Sequence, residues 1–133
     1  MIILILLLTF GAVVYLHYHK KNTREIDKQF YADELKEIAQ TIRVKKVGPK
    51  MAVIEADKLL DLALKDLNVS GENAAERLKN ASRSNMLKSP DNAWTVHKVR
   101  NKLVHEKHIN VDIKRAQNVV RAIENELHHL GVI

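Results

Sequence analysis

The 133-residue sequence contains no cysteine, which excludes a disulfide framework, a thiolate zinc site and a cysteine nucleophile. It has only four glycines and two prolines, which excludes collagen-like and Pro/Gly-rich low-complexity chains. Hydrophobic residues make up 46% of the chain and charged residues 29%, a balance that a disordered tail does not have. The composition therefore favours a helix-rich globular domain with almost no strand.

Acidic residues are fewer than basic ones, 16 against 22, and the formal net charge is +6. An excess of positive charge favours contact with phosphate-rich partners. Anionic lipid and nucleic acid both fit this description, and charge alone does not choose between them.

The first sixteen residues, MIILILLLTFGAVVYL, carry no charged side chain. As a helix this run spans about 24 Å, which is short for a hydrocarbon core of about 30 Å. Tyr15 and Tyr18 at its end are suited to cover the difference. A cleaved signal peptide is the alternative, but no basic segment precedes the run and no A-x-A-like site follows it. We therefore expect residues 1–19 to be an uncleaved transmembrane anchor.

The basic residues near this run lie only on its C-terminal side, at Lys20, Lys21 and Arg24. The positive-inside rule would then place the rest of the chain in the cytoplasm. The expected location is a single membrane span with residues 20–133 forming a cytoplasmic domain.

Apolar residues at helical spacing predict helices over 24–43, 50–68, 72–83, 90–106 and 110–130. The second of these carries Val53, Leu60 and Leu64 on a wide apolar stripe, as a central core helix does. Its Asp61 and Lys65 have the spacing of an i,i+4 ion pair. The predicted fold is all-α, an antiparallel bundle of four to five helices preceded by one transmembrane helix.

The segment AWTVHKVRNKLVHE, residues 93–106, has two different faces. Val96, Val99 and Leu103 recur at helical spacing and predict the face that packs on the core. At 100° per residue, a second set of side chains falls within an arc of about 100°, with Arg100 at its edge: Trp94, His97, Asn101, Val104, His105 and His108. A solvated face rarely carries the only Trp and three His, so we expect a protein interface that contains a site.

The run HKVRNKLVHE resembles the signature of the HEPN-domain family (higher eukaryotes and prokaryotes nucleotide-binding). That signature is an arginine, a following polar residue and a histidine four to six positions further on, and Arg100, Asn101 and His105 match it. The resemblance covers about residues 25–133, because AVIEADKLLDLAL, AERLK and a long closing helix follow the helix order of small bacterial members. It implies an antiparallel bundle that forms a homodimer and, in the active branch, a metal-independent endoribonuclease without a cofactor.

The chemistry of RNA cleavage agrees with these residue types. The 2′-hydroxyl beside the scissile phosphate is the nucleophile, so the protein must supply a proton acceptor, a proton donor and a cation. Histidine can do the first two tasks, and the arginine fork matches two phosphate oxygens. Arg100, Asn101 and His105 are therefore the candidate catalytic residues. Trp94, His97 and His108 are candidates for substrate binding or for the interface.

Helix geometry restricts how this site could be assembled. On a continuous helix, Arg100 and His105 lie about 140° apart, too far around to converge easily on one phosphate. Either the helix frays before His105, or a two-fold-related chain contributes a second set. The resemblance favours a composite site at a homodimer interface.

Three other interpretations stay open. Arg100 could pair with Glu55 or Asp57 and His105 could cap its helix, which would give a noncatalytic dimerisation, nucleic-acid-binding or nucleotide-binding module. The chain could also be a membrane-anchored helical protein with an unrelated structural role. A metal site at His105 and His108 falls short of the usual three or four ligands. In addition, Lys107 replaces the tyrosine of the toxin subgroup, so no antitoxin partner is inferred.

Overall fold

The computed structural model describes residues 2–20 and 25–133 and has helices but no strand in those ranges. In chain order the helices are α1 (Ile2–Lys20), α2 (Lys28–Thr41), α3 (Gly48–Asp66), α4 (Ala74–Arg83), α5 (Pro90–His105) and α6 (Ile113–His129). α3 packs against α2, α4, α5 and α6, and these five helices surround one hydrophobic core. The observed architecture agrees with the all-α helical bundle that the sequence predicts.

The predicted transmembrane helix is wrong. In the two described ranges, no helix combines the length and the apolar character that a membrane span requires. α1 has 19 residues, but its last four, HYHK, are polar, and the apolar run before them is too short for a bilayer core of about 30 Å. The predicted single-pass membrane location is wrong for the same reason. Lys21 and Arg24, on which the predicted cytoplasmic orientation depended, lie outside the described residues.

α3 is the central helix, as its apolar stripe predicts, and Val53, Leu60 and Leu64 are almost completely buried. It begins at Gly48, two residues earlier than expected, because Pro49 fits the first helical turn, where its missing N–H is not needed. A Cβ at Gly48 would collide with the carbonyl oxygen of Thr41, so glycine allows α2 and α3 to approach closely at this corner.

A buried tyrosine joins α2 to the other end of α3. Tyr31 is fully buried, and its hydroxyl donates a hydrogen bond of 2.7 Å to Oδ2 of Asp66. Burial, together with the nearby Asp66 carboxylate, strongly raises the pKa of Tyr31. The phenol therefore stays neutral and acts as a donor between the two helices.

α5 is held at its start by a carboxylate from α6. Glu126 is only 1% exposed, and its two oxygens accept hydrogen bonds from the backbone N–H groups of Lys88 (2.9 Å) and Ser89 (2.7 Å). These groups precede Pro90, so the negative charge also lies at the positive end of the α5 dipole. Of the three side chains predicted to face the core, Val96 and Leu103 are buried and Val99 is half-buried.

Candidate functional site

Two acidic side chains lie one turn apart on α3 and face α4 and α5. Asp57 lies among the apolar side chains of the α3 stripe and is 5% exposed. Asp61 is the next acidic residue on that face, and both carboxylates line a small cavity together with His97. α5 supplies the partner of Asp57, and α4 supplies the partner of Asp61.

The Asp57 carboxylate contacts the His97 imidazole inside the bundle. His97 Nδ1 lies 3.0 Å from Oδ2 and 3.3 Å from Oδ1 of Asp57, and both side chains are buried. On the other side of the ring, His97 Nε2 lies 3.2 Å from the Asn101 amide nitrogen. Asn101 in turn accepts a 2.9 Å hydrogen bond at Oδ1 from Nη1 of Arg100. The four side chains form one connected network.

The hydrogen bonds of this network have one consistent assignment of donors and acceptors. Asn101 uses its oxygen to accept from Arg100, so its NH₂ group faces His97 Nε2, which must then accept. The imidazole proton therefore sits on Nδ1 and is donated to Asp57. The chain of donors runs from Arg100 through Asn101 and His97 to Asp57, and it fixes the orientation of each group.

Arg100 is held by its hydrogen bond to Asn101 and is partly accessible to solvent. Its side chain is 28% exposed, and its Nε lies 3.8 Å from Oδ2 of Asp57, within ion-pair range but beyond hydrogen-bond distance. Among the described residues, Arg100 Nε is a buried nitrogen without a hydrogen-bond partner. A guanidinium that is partly accessible to solvent can bind a second anion, such as a phosphate.

Burial has the largest effect on the pKa of Asp57. It raises the pKa of this carboxyl, and the proximity of His97 and Arg100 offsets only part of the effect. The ionised form that accepts from His97 is therefore less favourable here than it is in water.

The second pair connects α3 to α4. The Arg77 guanidinium donates to both Asp61 oxygens, from Nε at 2.6 Å and from Nη2 at 3.0 Å, and its Nη1 donates to the Gly71 carbonyl at 2.6 Å. Lys65 lies 3.3 Å from Asp61, which confirms the predicted i,i+4 ion pair. Burial acts to raise the pKa of Asp61, but the hydrogen bonds from Arg77 and Lys65 outweigh it and the pKa is lowered. This pair keeps α4 in place beside the Asp57 network.

The sequence predicts an outward-facing His97, but this side chain lies inside the bundle. It is buried because Asp57 and Asn101 satisfy both ring nitrogens, so that an imidazole is tolerated in the interior. Trp94 is half-buried and packs on the core, with its ring edge-on to the His97 ring at a centroid distance of 6.0 Å. Both residues position the network from inside the bundle.

His105 and His108 are exposed, as expected. His105 is the last residue of α5, and His108 lies in the turn that follows. The helix is continuous from Arg100 to His105, so it does not fray between them. The structure therefore brings Arg100 and Asn101 together but leaves His105 about 140° further around the helix.

The described histidines of α5 and of the turn after it do not converge on a metal site. Within residues 2–20 and 25–133, no group of three or more His, Cys, Asp or Glu side chains is placed to hold a metal ion. His97 is engaged with Asp57 and Asn101, so it does not join His105 and His108.

Of the two carboxylates considered as partners of Arg100, Asp57 lies within ion-pair range, at 3.8 Å. The contact of Asp57 with His97 and the pair of Asp61 with Arg77 were not predicted from the sequence. One signal was present, because the wheel of α3 places Asp57 about 20° from Leu64 and about 40° from Val53, at the edge of the apolar stripe. A carboxylate in that position requires a buried basic or hydrogen-bonding partner. The spacing on one helix does not identify that partner, which lies 40 residues away in α5.

In the comparisons with known proteins, no family model, curated protein or solved structure matches this chain.

Proposed function

We propose that the chain is a HEPN-like, metal-independent endoribonuclease that acts as a homodimer, with Arg100, Asn101 and His105 at a composite site. The partly accessible Arg100 supports this proposal, because the Asp57 network holds its guanidinium in place and 28% of the side chain is exposed, so that a phosphate can approach it. The exposure of His105 also supports it, because a proton-transfer group must reach the substrate.

The continuity of α5 through His105 is the observation that carries the composite site. It separates the two side chains by about 140° around the axis and by about 7.5 Å along it. One chain is therefore poorly suited to place both on one phosphate. Two chains related by a two-fold axis would offer Arg100 and His105 from both copies to a substrate between them.

In the proposed reaction, the 2′-oxygen forms a bond to phosphorus while the bond from phosphorus to the 5′-oxygen breaks. His105 of one copy takes the proton of the 2′-hydroxyl, and His105 of the second copy gives a proton to the departing 5′-oxygen. Arg100 stabilises the additional negative charge on the phosphoryl oxygens. The products are a 2′,3′-cyclic phosphate and a 5′-hydroxyl end.

The test is cleavage of end-labelled single-stranded RNA by the full chain in the presence of EDTA. Arg100→Ala and His105→Ala should each reduce the rate by about a hundredfold or more. His108→Ala is the matched control, because it removes a nearby exposed histidine from the same surface but should keep the wild-type rate. If neither Arg100→Ala nor His105→Ala reduces the wild-type rate, the site assignment is wrong.

A noncatalytic binding module is the second candidate. The observation that favours it is that Asn101 and His97 are hydrogen-bonded within the network. These bonds would stabilise the bundle equally well in a protein that does not cleave RNA. In that case wild type would bind RNA in a salt-sensitive manner without forming a cyclic phosphate, and His105→Ala would bind equally well.

A further inference from the structure

A basic groove of about 340 Å³ lies between α5 and α6. Its cations are Lys98 and Lys102 of α5 and Arg115 of α6, and Val99, Ile109 and Val111 form an aliphatic floor between them. Among the described residues, no acidic side chain lines this groove. Its volume is at the lower end of the range for small-ligand sites, and its charge selects an anion.

A second, larger groove of about 910 Å³ adjoins the first, and Val111 lines both. It lies between the turn from α2 to α3 and the start of α6, and its cations are Arg43, Lys45, Lys46 and Lys114. Asp112 is the acidic residue in its described lining, and Oδ1 of that side chain is engaged by the Arg115 backbone N–H at 2.7 Å. Seven cations thus line two adjoining grooves against one carboxylate.

The position of these grooves relates them to the candidate site. On the α5 wheel, Lys98 and Lys102 lie about 20° and 60° beyond His105, on the side away from Arg100. A strand that follows the grooves would therefore reach α5 on the His105 side. The cations suit a chain of phosphates, and the aliphatic side chains beside them offer apolar surface to the bases.

We propose that the two grooves form one track for the backbone of single-stranded RNA and lead the strand to His105. This inference rests on the proposed function, since the choice of RNA as the occupant follows from the chemistry of Arg100 and His105. In-line attack by a 2′-hydroxyl requires a flexible strand, which a duplex does not provide. The phosphates lie against the seven cations, and the aliphatic floor takes the bases.

The track is tested by the affinity of the full chain for a fluorescent 2′-O-methyl oligonucleotide at several salt concentrations. This probe has the RNA backbone but no nucleophile, so its binding is measured independently of cleavage. One variant carries Lys98→Gln, Lys102→Gln and Arg115→Gln, and a second carries Lys45→Gln, Lys46→Gln and Lys114→Gln. The matched control removes three exposed cations elsewhere, by Lys58→Gln, Lys79→Gln and Arg121→Gln.

We expect each groove variant to bind at least about tenfold more weakly than wild type at moderate salt, and the control to bind nearly as wild type does. Three lost phosphate contacts should also reduce the slope of log affinity against log salt by about 2 for a single strand. Competition with vesicles of anionic lipid and with inorganic phosphate should not displace the oligonucleotide at equal phosphate concentration.

Equal weakening by the control and by the groove variants would overturn the track, because binding would then depend only on net charge. Absence of oligonucleotide binding, or binding of the lipid vesicles alone, would also overturn it. A wild type that binds the oligonucleotide through the grooves but cleaves no RNA would retain the track and refute the nuclease. If wild type cleaves RNA and the groove variants bind the oligonucleotide as wild type does, the nuclease is retained and the track is refuted.

Discussion

Asp57 and Asp61 occupy successive turns of α3, but their environments move their pKa values in opposite directions. Burial raises the pKa of Asp57, because the imidazole of His97 and the more distant Arg100 compensate only in part. At Asp61 burial acts in the same direction, but the bidentate bond from Arg77 and the Lys65 ammonium outweigh it. One helix face therefore carries a carboxylate that resists ionisation and another that favours it.

This difference predicts opposite pH dependences for Asp57→Asn and Asp61→Asn. The raised pKa of Asp57 means that the stability it contributes is present below its unfolded-state pKa and is lost as pH rises through the folded-state value. The lowered pKa of Asp61 means that its contribution is present above the unfolded-state pKa and is lost as pH falls through the folded-state value. Urea unfolding of the wild type and both variants between about pH 3 and pH 6 measures this.

Relative to wild type, the cost of Asp57→Asn should decrease as pH rises, and the cost of Asp61→Asn should increase. At the upper end of the range, Asp61→Asn should cost about 3 kcal/mol, because it leaves the buried Arg77 with an incomplete partner. Parallel pH curves for the two variants would contradict the opposite pKa shifts.

Gly71 supports the same site through its backbone. Its φ is +150°, and a Cβ there would lie 2.6 Å from the Arg77 backbone nitrogen and 2.9 Å from the Arg77 Cγ. Gly71→Ala should therefore displace Arg77 from Asp61. Gly131→Ala is the matched control. Gly131 also has a positive φ, +73°, but a Cβ there would have no contact within 4 Å.

We expect Gly131→Ala to cost about 1 kcal/mol for backbone conformation alone. Gly71→Ala should cost roughly 1–3 kcal/mol more, because it adds a steric collision. Equal midpoints of urea unfolding for the two variants would show that the close approach to Arg77 is not important for stability.

At the scale of helices, the start of α5 depends on a residue from a different helix. The helix predicted over 90–106 begins where α5 does, at Pro90, yet the hydroxyl of Ser89 before it makes no cap hydrogen bond. The capping oxygens come from Glu126 of α6. Local signals thus locate the beginning of a helix correctly, while the carboxylate that binds the N–H groups just before it comes from the tertiary fold.

Glu126→Gln should consequently destabilise the bundle by about 2 to 4 kcal/mol. The amide keeps one acceptor but turns an NH₂ group toward the other backbone N–H, and it removes the negative charge from the N-terminus of α5. Glu124→Gln on the same helix is the control, because that side chain is only half-buried and should cost less than about 0.5 kcal/mol. Urea unfolding gives the free energies, and faster exchange of the Lys88 and Ser89 amides would locate the effect. Unchanged exchange there would contradict the capping role.

For the molecule as a whole, the sequence predicts the helical content and the core stripe of α3 because both depend on periodicity within one helix. It does not predict the orientation of His97, because a wheel treats every polar residue as outward-facing. The polar interior is determined by a contact between Asp57 and His97, which are 40 positions apart. The apolar run before residue 17 predicts a membrane span because it carries no charge. That prediction is wrong, since no described helix is long and apolar enough to cross a membrane.

The assembly proposed for the site depends on the surface of α5 between Arg100 and His105. Val104 lies in that arc and is 50% exposed, so a two-fold contact through this face would cover it. Val104→Glu should place two like charges near each other in the dimer and shift the chain to monomer at micromolar concentration. RNA cleavage should fall in parallel, by about tenfold or more, although neither Arg100 nor His105 is changed.

Met51→Glu provides the matched control for this variant. Met51 is also apolar and 41% exposed, but it lies on α3, away from the α5 face. Sedimentation velocity on both variants and on wild type measures the oligomeric state, and the EDTA-resistant cleavage assay measures activity. A monomeric wild type, or a dimeric Val104→Glu that cleaves as wild type does, would refute the composite site, because a self-complementary contact centred on this face cannot tolerate a buried pair of carboxylates.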